Sequence, residues 1–366
     1  MKLHIFNPDH DLALAANLPR FTAPHAGRQL RADLSFIPAL WADEGDLVLV
    51  DDIDCARDKF RHLCGQGEVG KVEFVTRLQL EKIFADTFLV DSIHPWGWNL
   101  ALRHELLRLG CPSIMLPADD TLARLRLLSS RQWAAEHLQE HVDYVRSVEE
   151  MRRSVEAKGK AVVKAPWSSS GRGVRFVDGQ QLGEGDRLSP LERWAANVMG
   201  QQGGLTVEPY YNKVRDFGME FVMADGKMKY CGLSLFQTVK NAYTGNLLAT
   251  EQEKMEMLAA YRVGEADLAL VRKLLVERLE LHLRNVYAGP FGVDMMVCAD
   301  ERAEDARLFV NPCVELNLRC TMGHVALALG GKSFGPAAHH VMRVEYDGNR
   351  YHLRLLPGST IEPNLH

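Results

Sequence analysis

The sequence predicts an α/β amino-terminal domain on a largely parallel sheet, followed by a region of α+β character. Three observations carry this. Short apolar runs alternate with amphipathic stretches through the first third, long helical patterns begin near residue 119, and the last third sets extended runs around a long periodic helix. Alternation of the first kind marks strand–helix–strand crossovers, which lay strands side by side in one direction. A chain of 366 residues exceeds what one core usually serves, so two or three domains are expected. Pattern changes divide it into 1–118, 119–200 and 201–366.

Residues 2–6, 46–50, 72–75 and 88–93 read as buried strands, apolar runs too brief for helices. Residues 98–109 have apolar positions at helical spacing and stop at Gly110, a residue that takes the left-handed conformation common at helix ends. Residues 113–117 read as another short strand. Helices are expected at 129–141, with a serine cap, and at 147–157. Strand 160–165 leads through a Ser/Gly loop to strand 174–177, and 205–211 and 219–223 are extended, with Gly226 marking a hairpin. A helix spans 265–283, strands 290–298 and 308–318 pair, and 324–329 begins a closing helix.

Composition narrows the function. The 46% hydrophobic and 25% charged shares are those of an ordinary globular protein, and a net charge of -5 offers no basis for a nucleic-acid or membrane surface. No apolar run approaches the ~18 residues of a membrane span. Pro8 and the acidic residues after it arrive too early for a secretory signal, so a cytoplasmic location is expected. The seven cysteines include no Cys-x-x-Cys pair and read as reduced core residues.

Residues 65–70 have the Gly-x-Gly-x-x-Gly spacing of dinucleotide-binding turns, and 65–71 nearly match a phosphate loop. Both motifs need a strand before and a helix after. Here the preceding residues are polar and 71–75 alternate like a strand, so the segment reads as a turn.

Three other stretches carry chemistry. In the first, Lys164 ends a strand and is followed by Ser168, Ser169, Ser170, Gly171, Arg172 and Gly173. A strand ammonium needs water or an anion, and the loop offers free amides and hydroxyls, so a phosphate-covering flap and a solvated edge lysine beside a plain turn both stand. In the second, alternation puts Glu315, Asn317 and Arg319 on one face of a strand, while Asp294 interrupts the apolar strand that pairs with it. Two carboxylates and an amide oxygen suit Mg²⁺, although a polar face on a half-exposed hairpin would read the same. In the third, Glu208 ends a strand before Pro209, Tyr210 and Tyr211, a hinge able to meet a base, and Asp216 can hold ribose hydroxyls.

In this order the three stretches resemble the ATP-grasp family of ATP-dependent carboxylate-amine ligases, over residues 117–331. The resemblance implies two α+β subdomains clasping ATP, preceded by the parallel-sheet α/β domain. It assigns phosphate binding to Lys164, to the flap with Ser168, Ser169, Ser170, Gly171 and Gly173, and to Arg131, where the family more often has lysine. It gives the base hinge to Glu208, Tyr210 and Tyr211, the ribose to Asp216, and a further phosphate cation to Lys240. Asp294, Glu315 and Asn317 become the Mg²⁺ ligands, and Glu315-x-Asn317-x-Arg319 is the most specific match. One departure stands out. D-alanine ligases carry an arginine shortly before the metal-binding aspartate, where this chain has Gly289, Pro290, Phe291 and Gly292.

The implied chemistry uses ATP and Mg²⁺ to convert a small-molecule carboxylate into an acyl phosphate, which an amine or other nucleophile captures. Lys164 and Arg319 would act at the reacting groups, with Arg319 gripping the acceptor carboxylate. A kinase-like phosphotransferase and a non-catalytic nucleotide-binding module are the alternatives. No nucleic-acid or membrane partner is expected, and a homo-oligomer is compatible with the reading. The loops 7–11 and 94–99 follow strands and would lie at the carboxyl edge where open α/β sheets bind ligands, although side-chain-capped turns and a Trp pair packed under a domain interface are the plainer reading of both. Residues 243–246 form a further substrate-loop candidate.

Overall fold

The computed structural model describes residues 1–64, 71–85, 89–168, 171, 173–183, 187–239, 242–300, 307–330 and 339–358. The amino-terminal layer runs β1 (Lys2–Ile5), α1 (His10–Ala16), α2 (His25–Asp33), β2 (Leu47–Leu49), α3 (Ile53–Cys64), β3 (Glu73–Val75), α4 (Arg77–Ala85), β4 (Ser92–Pro95) and α5 (Leu100–Arg108). Its strands are parallel in the order β3-β2-β1-β4. The chain order reverses between β1 and β4, so the loops leaving these two strands meet at the carboxyl edge, where such sheets take ligands. The fourth strand starts at Ser92 rather than at 88. Residues 65–70, the dinucleotide-like motif, lie outside the described residues; α3 precedes them and β3 follows.

The strand expected at 113–117 is instead a single 3₁₀ turn, Ser113–Met115, in which Ile114 is 93% exposed. Its apolar character is not used for burial, and Pro112 before it offers no amide to a sheet. The helix expected at 129–141 is the shorter α7 (Arg131–His137), whose serine cap is Ser130, its hydroxyl accepting from Trp133 N; a separate helix, α6 (Asp119–Leu128), ends just before it. Two adjacent serines favour a stop and a new cap over a continuous helix.

A second layer follows with β5 (Asp143–Val145), α8 (Val148–Lys158), β6 (Lys160–Lys164), β7 (Val174–Asp178), α9 (Pro190–Gln202) and β8 (Leu205–Pro209). Its sheet, β5-β8-β6-β7, is antiparallel and continues past residue 200 through β8. Val145, Met151, Val155, Val163, Ala195 and Val207 form a core of its own beneath α8 and α9.

Strands β9 (Asn212–Ala224) and β10 (Lys227–Ser234) form the predicted hairpin. Asp225 and Gly226 both have positive φ, which matches the right-handed twist of the strands they join. Then come β11 (Phe236–Val239), β12 (Ala242–Leu248), α10 (Glu251–Ala259), α11 (Glu265–Leu283), β13 (Gly289–Asp300), β14 (Arg307–Asn317), α12 (Met322–Gly330), β15 (His340–Tyr346) and β16 (Tyr351–Pro357). They build two antiparallel sheets, β10-β9-β13-β14 and β11-β12-β15-β16. Two expectations are corrected here: residues 243–246 lie within strand β12 rather than a loop, and α12 does not close the chain.

The largest sheet packs α6, α7 and α11 through Leu125, Trp133, Phe217, Phe291 and Leu279. A further core unites the amino-terminal layer with α12 and β15, since Phe6, Trp96, Val325, Leu329 and Met342 belong to one cluster. No helix among the described residues is long and apolar enough to cross a membrane.

Candidate active site

Alternation along β6 buries Ala161 and Val163 in the core and turns Lys164 to the opposite face. There Lys164 Nζ lies 2.7 Å from Glu208 Oε2, diagonally across the β6–β8 ladder, and 3.5 Å from the Val314 carbonyl of β14. The lysine is therefore inward and ion-paired, not a solvated edge residue. Glu208 Oε1 is buried with no partner of its own.

Arg131 opens α7 and is buried. Its Nη1 donates to the Ala165 carbonyl at 2.7 Å and to Ser168 Oγ at 2.8 Å, and its Nη2 to Glu315 Oε1 at 2.5 Å. One guanidinium thus spans from the base of the flap to the acidic strand, leaving a buried Nε–H unpartnered. A buried donor here and a buried acceptor on Glu208 are the kind of leftovers that a bound polar ligand satisfies.

Residue Gly173 lies so close to Ala165–Ser168 that a Cβ there would come within 2.4 Å of Ser168 Cβ, and Gly171 has φ of +70°, a conformation that favours glycine. Ser169, Ser170 and Lys240 lie outside the described residues.

The acidic pair forms as the strand register dictates: Asp294 stands opposite Glu315, and Gly292 opposite Asn317. Asn317 Nδ2 donates to Asp294 Oδ2 at 3.1 Å. Burial, then the neighbouring Glu315 and Glu220 carboxylates, pushes Asp294 up to about 8. Oxygen donors from Asp294, Glu315 and Asn317 fit Mg²⁺ in type, and no cluster of three or more His, Cys, Asp or Glu occurs among the described residues.

At the remaining predicted positions, Tyr210 N donates to the Lys160 carbonyl and the ring packs edge-on against Phe176, both rings half-exposed. Tyr211 packs edge-on to Phe309. Asp216 is held by Lys213 Nζ at 2.6 Å and Thr238 Oγ1 at 2.7 Å.

The amino-terminal layer supplies residues that sequence reasoning left unassigned. Arg319 Nε lies 3.0 and 3.1 Å from the two oxygens of Asp11, and its Nη2 lies 2.9 Å from Asp11 Oδ2 and 2.9 Å from Asn317 Oδ1. Beside Asp11 the imidazole of His10 is buried, and its Nδ1 meets Asn99 Nδ2 at 3.2 Å. Asn99 Oδ1 caps α5, which fixes that amide's orientation. Burial lowers His10 to about 4, so it is neutral at pH 7. Asn7 Nδ2 holds the Gly97 carbonyl at 2.8 Å, and a Cβ on Gly97 would come within 2.6 Å of the His10 ring. The two loops are thus one structure.

His10, Asp11, Ser129, Trp167, Ser168 and Glu315 line a cavity of about 10 Å³, closed down to a single water-sized sphere. A wider concavity of about 720 Å³ lies beside Gly45 and Phe74 on the amino-terminal layer, away from these residues. Another residue that the pattern did not reveal is Glu220. It is buried on β9, opposite Gly292, and takes a hydrogen bond from Thr321 Oγ1 at 2.8 Å. Its signal was an acid within the apolar run of residues 217–223.

The fold and site together define a three-layer α/β and α+β protein whose cations and carboxylates meet at one interlayer seam. No family model matches the chain, and no curated protein matches it in sequence. Among solved structures it is similar to N5-carboxyaminoimidazole synthetase from Staphylococcus aureus complexed with ADP, at 12% identity and a TM-score of 0.47, over 95% of this chain and 83% of that one. It is also similar to a biotin carboxylase complex from Campylobacter jejuni, at 12% identity and a TM-score of 0.47, over 94% and 75%. D-alanyl-alanine synthetase A from Vibrio cholerae aligns at 14% identity and a TM-score of 0.38, over 67% and 73%. Likenesses this distant carry no weight for function, which rests on the geometry.

Proposed function

We propose that the chain is an ATP-grasp ligase that activates a small-molecule carboxylate with ATP and passes the acyl group to an amine or other nucleophile, in the cytoplasm. One observation carries this reading: the Arg131 guanidinium, held at the flap base by Ala165 and Ser168, reaches Glu315 of the acidic hairpin at 2.5 Å. A triphosphate entering that seam takes the place of each ion as the other's partner.

Lys164 and Arg131 bind phosphate oxygens, and Lys164 must exchange part of its contact with Glu208 to do so. Asp294, Glu315 and Asn317 would hold Mg²⁺, which would supply charge neutralisation for the phosphates. Arg319 orients the acceptor carboxylate, and the closed cavity excludes water that would hydrolyse an acyl phosphate. The carboxylate oxygen bonds to the γ-phosphorus as the bond to the β,γ-bridging oxygen breaks and ADP leaves. The nucleophile's nitrogen then attacks the acyl carbon, phosphate departs with the bonding pair, and the nitrogen loses its proton.

Screening small acids for acid-dependent ADP release, with hydroxylamine present to trap the acyl phosphate as a hydroxamate, tests this reading. ADP release toward a hydroxyl acceptor with no hydroxamate would establish a phosphotransferase instead. Mg-ATP binding with no turnover on any substrate would leave a binding module.

A further inference from the structure

We propose that the acid activated at this site is an α-amino acid, bound as a zwitterion inserted between Arg319 and Asp11. The inference rests on the ligase reading for its chemistry but on the ion pair for its geometry. Arg319 presents its Nε and Nη2 edge to a carboxylate at 2.9–3.1 Å, the two-point grip that guanidinium groups make with carboxylates. In this structure the carboxylate is Asp11, 308 residues away and on a different layer. The side chains of Arg319 and Asp11 are 19% and 20% exposed, so the pair is neither fully buried nor freely solvated.

A half-buried cation and anion in contact, the anion also lining the cavity, are the complement of a small molecule with one charge of each sign. An α-carboxylate takes the guanidinium edge from Asp11, and the freed Asp11 carboxylate pairs with the α-ammonium. The neighbouring imidazole agrees with that sign pattern. His10 is buried and neutral beside Asp11, adding no positive charge against an ammonium.

The backbone frame sets how the exchange occurs. Cys320 N donates to the Trp96 carbonyl at 2.7 Å, so the turn carrying Arg319 is tied to the layer carrying Asp11. Asp11 therefore yields by side-chain rotation rather than by movement of the turn.

The test compares each of the twenty amino acids with its desamino acid and its decarboxylated amine, alanine with propionate and ethylamine for example. Thermal shift and ADP release are both read. The expected result is that at least one amino acid raises the melting temperature and stimulates ADP release, while its two single-charge analogues are weaker by roughly a hundredfold, because a site built for a polar group rejects the molecule that lacks it. Asp11→Asn should raise KM for the amino acid and narrow the gap to the desamino acid. Equal response to amino acid and desamino acid in the unaltered protein overturns the proposal, as does binding of none of the twenty; neither needs the variant to fold. ADP release with other acids alone would leave the ligase reading standing without the zwitterion. Amino-acid binding with no ADP release on any substrate would do the reverse.

Discussion

Lys164 and Glu208 form an ion pair with side-chain exposures of 9% and 6%, Nζ to Oε2 at 2.7 Å, on adjacent strands of the second layer. Such a pair adds little net stability, but breaking it on one side leaves a charge buried without compensation, at a cost of about 3–5 kcal/mol. Glu208→Leu and Lys164→Met should each destabilise by that order, and the double variant by far less than their sum. Urea unfolding of the three proteins measures the coupling; additive losses would mean that the pair is not a unit.

Arg131 makes three hydrogen bonds in three directions, to Ala165 O, Ser168 Oγ and Glu315 Oε1. A lysine keeps the charge but not the fork. Arg131→Lys is expected to raise KM for ATP roughly tenfold, equivalent to about 1.4 kcal/mol, with a smaller effect on KM for the acid. Steady-state kinetics with each substrate varied decides it.

Glu315→Gln removes one oxygen charge from the acidic hairpin and the partner of Arg131. Turnover should fall by about 10²-fold or more, as when other charge-stabilising groups are lost. Activity near the unaltered level would remove Glu315 from the metal shell.

Glu220 carries a pH dependence. Burial pushes its carboxyl up to about 7 and pushes the imidazole of the neighbouring His324 down to about 4. His324 Nε2 donates to the Phe221 carbonyl at 3.1 Å, so its Nδ1 is an acceptor, and Glu220 Oε2 at 3.1 Å is compatible with it as an O–H donor. The native state thus holds this proton more tightly than the unfolded chain, and stability falls as pH rises from about 4.5 through about 7. Glu220→Gln mimics the protonated acid. It should match the unaltered protein at pH 5 and exceed it at pH 8 by on the order of 1–3 kcal/mol, read from urea midpoints.

Gly97 lies under the His10 ring, and a Cβ there would come within 2.6 Å of it. Gly97→Ala should cost about 1–3 kcal/mol through overpacking and disturb the Asp11 side of the cavity, raising KM for the acid more than for ATP. A variant with normal stability and kinetics would show that the loops are not coupled.

The sequence made some of this legible through local pattern. The helix at 265–283 is Glu265–Leu283, the hairpin falls at Gly226, and the alternation of Glu315, Asn317 and Arg319 places the first two beside Asp294. Those features depend on spacing within a strand or helix, which one chain displays. The Asp11–Arg319 pair does not, because nothing local links residues 308 apart. Glu208 drew attention for the hinge after it, yet its carboxylate pairs with Lys164, a partner fixed by the β6–β8 register. The expected strand at 113–117 failed because its apolar run is used one side at a time: Leu116 and Met115 pack into the core from a single turn while Ile114 faces solvent, and no neighbouring strand pairs with it among the described residues.

The separate core beneath α8 and α9 has a mechanical consequence. The amino-terminal layer and the carboxyl-terminal elements share side chains in one apolar cluster, whereas the β5-β8-β6-β7 sheet keeps its own. Motion is cheapest where no apolar interior must be torn, so this sheet is the one expected to move as a unit against the others. Amide exchange in β6 and β8 should slow when nucleotide bridges the gap, while β1 and β4 stay unchanged.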